Sequence, residues 1–183
     1  MKNDFLQYLN NLSVVTITFV GFAALYLAFK QQTAGKMTNF DVMLTENHFM
    51  LSFMVVGAAL LPPLLALVPS DQLSWEMALR VASLIAAGQL FSFCITFPGR
   101  RSRASEGKPM PTGTKILLAF YYLVVGLLLI NLIVNQQALY AFALTSQQII
   151  NVFTFVYALR RFILHVPLRP SEGELVARGQ AEN

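Results

Sequence analysis

Five apolar segments, each long enough to cross a bilayer, divide this chain and leave only short polar connections between them. They cover residues 12–29, 48–68, 77–97, 114–134 and 139–159, here called spans 1 to 5. A helix of about 20 apolar residues crosses the hydrocarbon core of a membrane, where every backbone polar group must be paired internally. The sequence therefore predicts an all-α integral membrane bundle of five transmembrane helices. We expect residues 1–166 to form the transmembrane domain and residues 167–183 to form a disordered cytoplasmic tail.

The composition excludes an ordinary soluble domain. Only 12% of the residues are charged and 56% are hydrophobic, whereas a soluble domain carries about 25% charged residues. The basic pI of about 9.4 does not indicate a nucleic-acid partner, because the basic residues flank apolar segments and meet lipid headgroups there. The single cysteine, Cys94, excludes an intrachain disulfide and a cysteine-pair metal motif.

The basic residues indicate how the chain is oriented in the membrane. All of the 13 Lys and Arg except Lys2 and Arg80 fall on the same side once the five spans are threaded through a bilayer. The basic side of a membrane protein is normally the cytoplasmic side. The sequence thus predicts an outside N-terminus and a cytoplasmic C-terminus. The linker 98–113, PGRRSRASEGKPMPTG, is the strongest signal, and its prolines and glycines predict a non-helical, solvated loop.

Clustered arginines at the cytoplasmic side are candidates for binding lipid headgroups or a protein partner. They are Arg100, Arg101, Arg103, Arg160 and Arg161. The last two follow span 5, which polar residues interrupt between 145 and 151. Span 5 could instead lie in the membrane interface as an amphipathic helix, which would leave four transmembrane helices.

Uncharged polar residues recur at helical spacing inside three spans, and we call this set the polar seam. The seam comprises Gln147, Asn151 and Thr154 in span 5, Gln89 and Ser92 in span 3, and Asn131 in span 4. An amide that faces lipid loses its hydrogen bonds at a considerable cost in free energy, so these faces are expected to point inward. They would then either join helices by hydrogen bonds or line a hydrated lumen, within one subunit or around an oligomer axis.

Two local signals bear on span 2. Thr38 and Asp41 have the spacing of a capping box, which predicts a helix that begins well before the span. Pro62 and Pro63 lie inside the span, where each lacks an N–H and crowds the carbonyl four residues back. They predict a kink near residues 57–60, which is either a fixed feature of the helix or a gating hinge.

The sequence contains no motif for catalysis, metal binding or cofactor binding. His48 and His165 lie at the ends of spans 2 and 5, where a histidine satisfied at the membrane interface is the simplest interpretation. The spans contain no Asp or Glu in their cores, which argues against a carboxylate proton relay. We therefore expect a protein that is not an enzyme, with no catalytic residues, no metal and no cofactor.

Two segments carry a resemblance to known proteins. The run TITFVGFAALYLAFKQ in span 1, and GAALLPPLLALV in span 2 after a short basic loop, are similar to uncharacterised small bacterial multi-pass inner-membrane proteins. The resemblance implies a bacterial inner-membrane location and brings no functional residues.

The function expected from these features is non-enzymatic. The chain would be a self-associating homo-oligomeric subunit in the bilayer that permits a small solute or ion to pass along its polar helix faces, a possible channel. The alternative is a membrane scaffold or sensor without a pore, which binds a cytoplasmic protein partner through the basic 98–113 loop and the C-terminal tail.

Overall fold

The computed structural model describes residues 2–34, 38–67, 74–105, 107 and 109–165. They form helices α1 Lys2–Ala34, α2 Asn39–Ala66, α3 Trp75–Ala104, α4 Thr112–Val134 and α5 Gln137–His165. Each helix contains a segment long and apolar enough to cross a membrane. The predicted all-α class with five spans is confirmed, and no strand occurs in the described ranges. The tail predicted to be disordered and the side chain of Arg161 lie outside what the structure describes.

Four of the helices form a closed ring. α2 packs against α3, α3 against α4, α4 against α5, and α5 against α2. α1 packs on the outside, against α2 and α5, and a hydrogen bond between the Tyr8 and Thr145 hydroxyls joins α1 to α5. α2 and α3 bring small residues to their contact, namely the buried Ala58 on α2 and the buried Ala82 and Ala86 on α3, which lets two helix backbones approach closely.

The start of α2 and the end of α3 lie side by side, and they correct one prediction. α2 begins at Asn39 behind the predicted capping box, in which Asp41 N–H donates to the Thr38 hydroxyl at 3.2 Å. α3 does not end at Pro98, as expected from a non-helical linker, but continues to Ala104. The extension packs on α2: Arg100 forms an ion pair of 2.7 Å with Glu46, and the buried Arg101 lies over the ring of Phe40. These contacts together favour the helix beyond the proline. We call this end of the ring, where α2 begins and α3 ends, the basic end.

α2 stays helical through Pro62 and Pro63. Pro62 has no N–H for the carbonyl of Ala58, which is the acceptor four residues back. The Tyr140 hydroxyl of α5 replaces the missing donor: it donates to the Ala58 oxygen at 2.6 Å, and Tyr140 is fully buried. The proline segment is therefore tied to α5, an arrangement that favours a fixed shape over the moving hinge.

Candidate ligand-binding chamber at the basic end

A chamber of about 250 Å³ lies inside the helix ring at its basic end. α2 contributes Phe40, Leu44, Asn47 and Leu51, whose spacing of four, three and four residues places them on one helix face. α3 contributes Phe93, Phe97 and Arg101, each one helical turn after the last. The walls are mainly apolar, and Leu117 and Leu118 of α4 complete them.

Arg101 is the charged group of the chamber. Its side chain is only 9% exposed, and its guanidinium lies 5.0 Å from the centroid of the Phe40 ring. The Nε–H has no hydrogen-bond partner, and of the carboxylates in the described ranges none pairs with Arg101. The ring face of Phe40 gives a cation–π attraction, but it does not neutralise the charge. Arg101 is thus a buried cation without a counter-anion from the described protein.

Asn47 is the second unusual polar group in the chamber wall. It is 2% exposed, and neither Nδ2 nor Oδ1 has a partner within the described residues. Nearly all buried polar atoms in proteins are hydrogen-bonded, so an amide with both atoms unpaired requires an explanation. Asn47 lines the chamber, but protein covers both of its amide atoms, so a bound molecule that donates to Oδ1 and accepts from Nδ2 reaches them only when the side chain rotates.

The chamber opens between the start of α4 and the end of α5. Its exposed lining residues all come from these two segments: Pro111 and Gly113 at the start of α4, and Phe153 and Tyr157 on α5. The lining residues of α2 and α3 are buried or half-buried. An opening between α4 and α5 gives access to the chamber from outside the bundle.

Towards the middle of the ring the chamber is closed. Its deepest lining residues include Leu51, Phe93 and Tyr121, and the next turns of their helices carry the fully buried Val55, Leu90 and Val124. The chamber is therefore a blind cavity.

The polar seam does not form one continuous line. Asn151 on α5 is fully buried; its Nδ2 donates to the Ser52 hydroxyl at 2.6 Å, and its Oδ1 accepts from His48 Nδ1 at 3.0 Å. His48 also stacks on Phe155, with ring centroids 5.1 Å apart. Because an amide oxygen only accepts, Nδ1 of His48 carries the hydrogen.

Asn131 belongs to a separate cluster towards the opposite end of the ring. Its Nδ2 donates to the Ser83 hydroxyl at 3.0 Å, and its Oδ1 accepts from the Gln136 N–H at 2.9 Å. It thereby joins α3 to α4 and holds the turn after α4, where Asn135 adopts a left-handed conformation with φ of 54°. Asn131 and Asn151 each pair with neighbours inside the bundle and not with each other.

The remaining members of the seam differ in orientation. Gln147 and Thr154 are buried, and Thr154 lines the chamber while donating to the Ile150 carbonyl at 3.0 Å. The inward orientation expected for Gln89 and Ser92 is wrong, since both side chains are exposed on the outside of α3. The inner face of α3 carries a larger set of apolar side chains, which includes Leu79, Leu90 and Phe93. Because the burial of these side chains is favourable, it sets the rotation of α3 about its axis.

The arginines predicted to bind lipid headgroups or a protein partner also have different surroundings in the structure. Arg100 pairs with Glu46, Arg101 faces the chamber, and Arg103 and Arg160 are exposed. Sequence reasoning grouped Arg101 with its neighbours and did not single out Asn47. The available signal was the shared face of Phe40, Leu44, Asn47 and Leu51, in which one amide interrupts an apolar stripe. In the described ranges, no three His, Cys, Asp or Glu residues come together to hold a metal ion.

Comparison of the chain with protein-family models, with curated proteins and with solved structures found no match.

Proposed function

We propose that this chain is a non-enzymatic, multi-pass protein of a bacterial inner membrane that binds a small amphipathic molecule in the chamber at its basic end. The observation that carries the proposal is a blind, mainly apolar cavity with two unsatisfied polar groups, Arg101 and Asn47. Small-molecule sites are typically apolar cavities with a few well-placed polar groups. The apolar walls suit the body of an amphiphile, and the two polar groups suit its head.

The same geometry weighs against solute permeation along the polar seam within a single chain. A pore needs a continuous wet path, but Asn131 and Asn151 are paired in separate clusters. Apolar side chains such as Leu128 and Leu144 are fully buried in the interior of the ring. Binding without permeation is therefore the better-supported function.

We place the basic end of the ring in the cytoplasm, because the distribution of Lys and Arg favours that orientation. A cytoplasmic reporter enzyme fused after Arg103 is expected to be active, and so is one fused after Asn183. A periplasmic reporter at either position should be inactive. Periplasmic activity at both positions would reverse the orientation, and a difference between them would mean that α5 does not cross the membrane.

Self-association through the outside of α3 is a second proposal, and it has its own observation. Gln89 lies near the middle of α3 and is exposed together with Gly88, Ser92 and Thr96, which share one helix face. An amide exposed to lipid lacks hydrogen-bond partners, whereas two copies related by a two-fold axis would pair their Gln89 side chains with each other. Gly88 lies in open space on the outside of α3, and a glycine at a contact between helices lets their backbones approach closely.

Purified protein tests both proposals in one experiment. We expect the mass in mild detergent to be that of a homodimer, and liposomes that contain the protein to be no leakier to small ions and sugars than empty ones. Gln89→Leu should shift the mass towards the monomer by weakening association about 3- to 20-fold, because interhelical polar contacts contribute about 0.6–1.7 kcal/mol.

Thr18→Val is the matched control, because Thr18 is exposed on α1 and its hydroxyl donates to its own helix at Val14. It should leave the mass unchanged. A monomeric wild type, or a Gln89→Leu dimer as stable as the wild type, would reject the α3 interface. Protein-dependent flux would reject binding without permeation.

A further inference from the structure

We propose that the chamber holds the anionic headgroup of a membrane phospholipid, with Arg101 as the counter-charge and Asn47 as a hydrogen-bonding partner. This inference rests on the proposed function, because it takes the chamber to be a binding site, and it names the class of ligand. The lipid would enter between α4 and α5, with its headgroup at the basic end and its acyl chains directed towards the bilayer.

The charge of Arg101 indicates an anionic ligand. A buried cation that lacks a partner is strongly unfavourable, and no described carboxylate supplies one. The guanidinium presents a planar fork of N–H groups that matches two oxygens of a phosphate or a carboxylate. The Nε–H of Arg101 is one such donor; it is unpaired and covered by protein, so a ligand reaches it only when the side chain moves.

The walls of the chamber indicate that the anion belongs to an amphiphile. Leu44, Phe93, Phe97 and Leu117 line the same cavity as Arg101, and a free phosphate ion would lose hydration against them without covering their apolar surface. An acyl chain attached to the phosphate buries that surface favourably. A lipid combines both requirements in one molecule.

The position and size of the chamber fit a lipid that is held only in part. Tyr157, at the mouth, lies about one helical turn before the exposed Arg160, and a basic residue at the end of an apolar stretch marks the level where lipid headgroups begin. Basic pockets between transmembrane helices on the cytoplasmic side are known binding sites for anionic headgroups. A volume of about 250 Å³ is just below the usual range of about 300–1,000 Å³ for small-molecule pockets. The chamber therefore accommodates the headgroup and the adjoining part of the lipid.

Asn47 narrows the class of phospholipid. Its Nδ2 can donate to a phosphate oxygen, while its Oδ1 accepts only from a donor. A headgroup with a hydroxyl, as in phosphatidylglycerol, supplies that donor and satisfies both unpaired atoms. The choline headgroup of phosphatidylcholine carries no such donor and brings a second positive charge to Arg101.

The test uses the full-length protein in mild detergent, titrated with phosphatidylglycerol or with phosphatidylcholine of the same acyl chains and followed by native mass spectrometry. We expect one phosphatidylglycerol bound per chain with a clear preference over phosphatidylcholine. Arg101→Gln should weaken the binding of phosphatidylglycerol about tenfold or more, because a charge-assisted pair is lost. Arg103→Gln removes the same charge from an exposed position two residues away and should change the affinity by less than about twofold.

A second variant keeps the proposal testable if Arg101→Gln does not fold. Leu117→Trp adds volume at a half-buried wall position of the chamber without changing any charge, and it should block lipid binding. Equal losses in Arg101→Gln and Arg103→Gln would indicate attraction to surface charge and would overturn the site. Equal binding of the two lipids would overturn it as well.

The source of the phosphate is tested by a water-soluble competitor. Glycerol phosphate should compete poorly with phosphatidylglycerol, and equally strong competition would indicate a site for free phosphates and reject the lipid. If a neutral amphiphile binds instead and Leu117→Trp blocks it, the lipid inference fails while the proposed binding function stands. If no amphiphile binds and the liposomes are leaky, the proposed function itself fails.

Discussion

Tyr140→Phe should destabilise the folded bundle by about 1–3 kcal/mol, a large effect for the loss of one oxygen atom. The Tyr140 hydroxyl is the donor to the carbonyl of Ala58 at 2.6 Å, and the site is fully buried. Because Pro62 carries no N–H, that carbonyl has no helical partner. Phenylalanine would leave it unpaired in the interior, which costs about 1–3 kcal/mol.

The role of Pro62 in this effect can be isolated. In Pro62→Ala, the new N–H at position 62 is able to bond to the Ala58 oxygen, so the carbonyl no longer depends on Tyr140. Tyr140→Phe should then cost at least about 1 kcal/mol less in the Pro62→Ala background than in the wild type, within the usual range for coupled neighbours. The free energy of unfolding is measured by circular dichroism in mixed micelles for the wild type, the two single variants and the double variant.

Tyr122→Phe is the matched control, since Tyr122 is an exposed tyrosine on α4 and its substitution should have little effect. Additive costs for Tyr140→Phe and Pro62→Ala would contradict the proposed compensation. The same cycle bears on the hinge hypothesis, because a segment that moves during function would not keep its freed carbonyl tied to α5.

The sequence predicts the five helices and the N-terminal cap of α2 because these depend on local and periodic features. Apolar length alone marks the five membrane-length helices, and the spacing of Thr38 and Asp41 correctly marks the start of α2. The bond from Tyr140 to Ala58 could not be predicted in this way, since the two residues lie 82 positions apart. The continuation of α3 through Pro98 likewise depends on a contact with another helix.

The orientation of single side chains at the candidate site could not be predicted from the sequence either. Arg100, Arg101 and Arg103 are equivalent in the sequence, but successive residues of a helix point about 100° apart. The first therefore meets Glu46, the second faces the chamber, and the third remains exposed. Which of them faces the chamber depends on the rotation of α3, and the apolar residues on its inner face set that rotation.

Asn151→Leu should destabilise the bundle by about 1–3 kcal/mol, whereas Gln147→Leu, one helical turn away, should be neutral or stabilising. Asn151 joins α5 to α2 through Ser52 and His48. Without it, Ser52 can bond back to a carbonyl of its own helix, but His48 keeps an unpaired buried Nδ1, which costs about 1–3 kcal/mol. Gln147 already has an unpaired Nε2, and an apolar side chain of similar size removes that penalty.

The comparison of these two variants separates structural hydrogen bonding from a wet lumen, because a lumen would solvate both amides. Thermal unfolding of each variant in detergent gives the difference in stability. Cysteine at position 151 in a Cys94→Ala background gives the access of water, and we expect it to be protected from a membrane-impermeant thiol reagent. Similar stabilities for the two leucine variants, together with rapid labelling at position 151, would mean that water reaches the seam and would restore permeation as the leading function. If the amides are paired within the protein, only Asn151→Leu should lose stability, and the cysteine at position 151 should be protected from the reagent. Each hydrogen bond then depends on its protein partner and not on solvent.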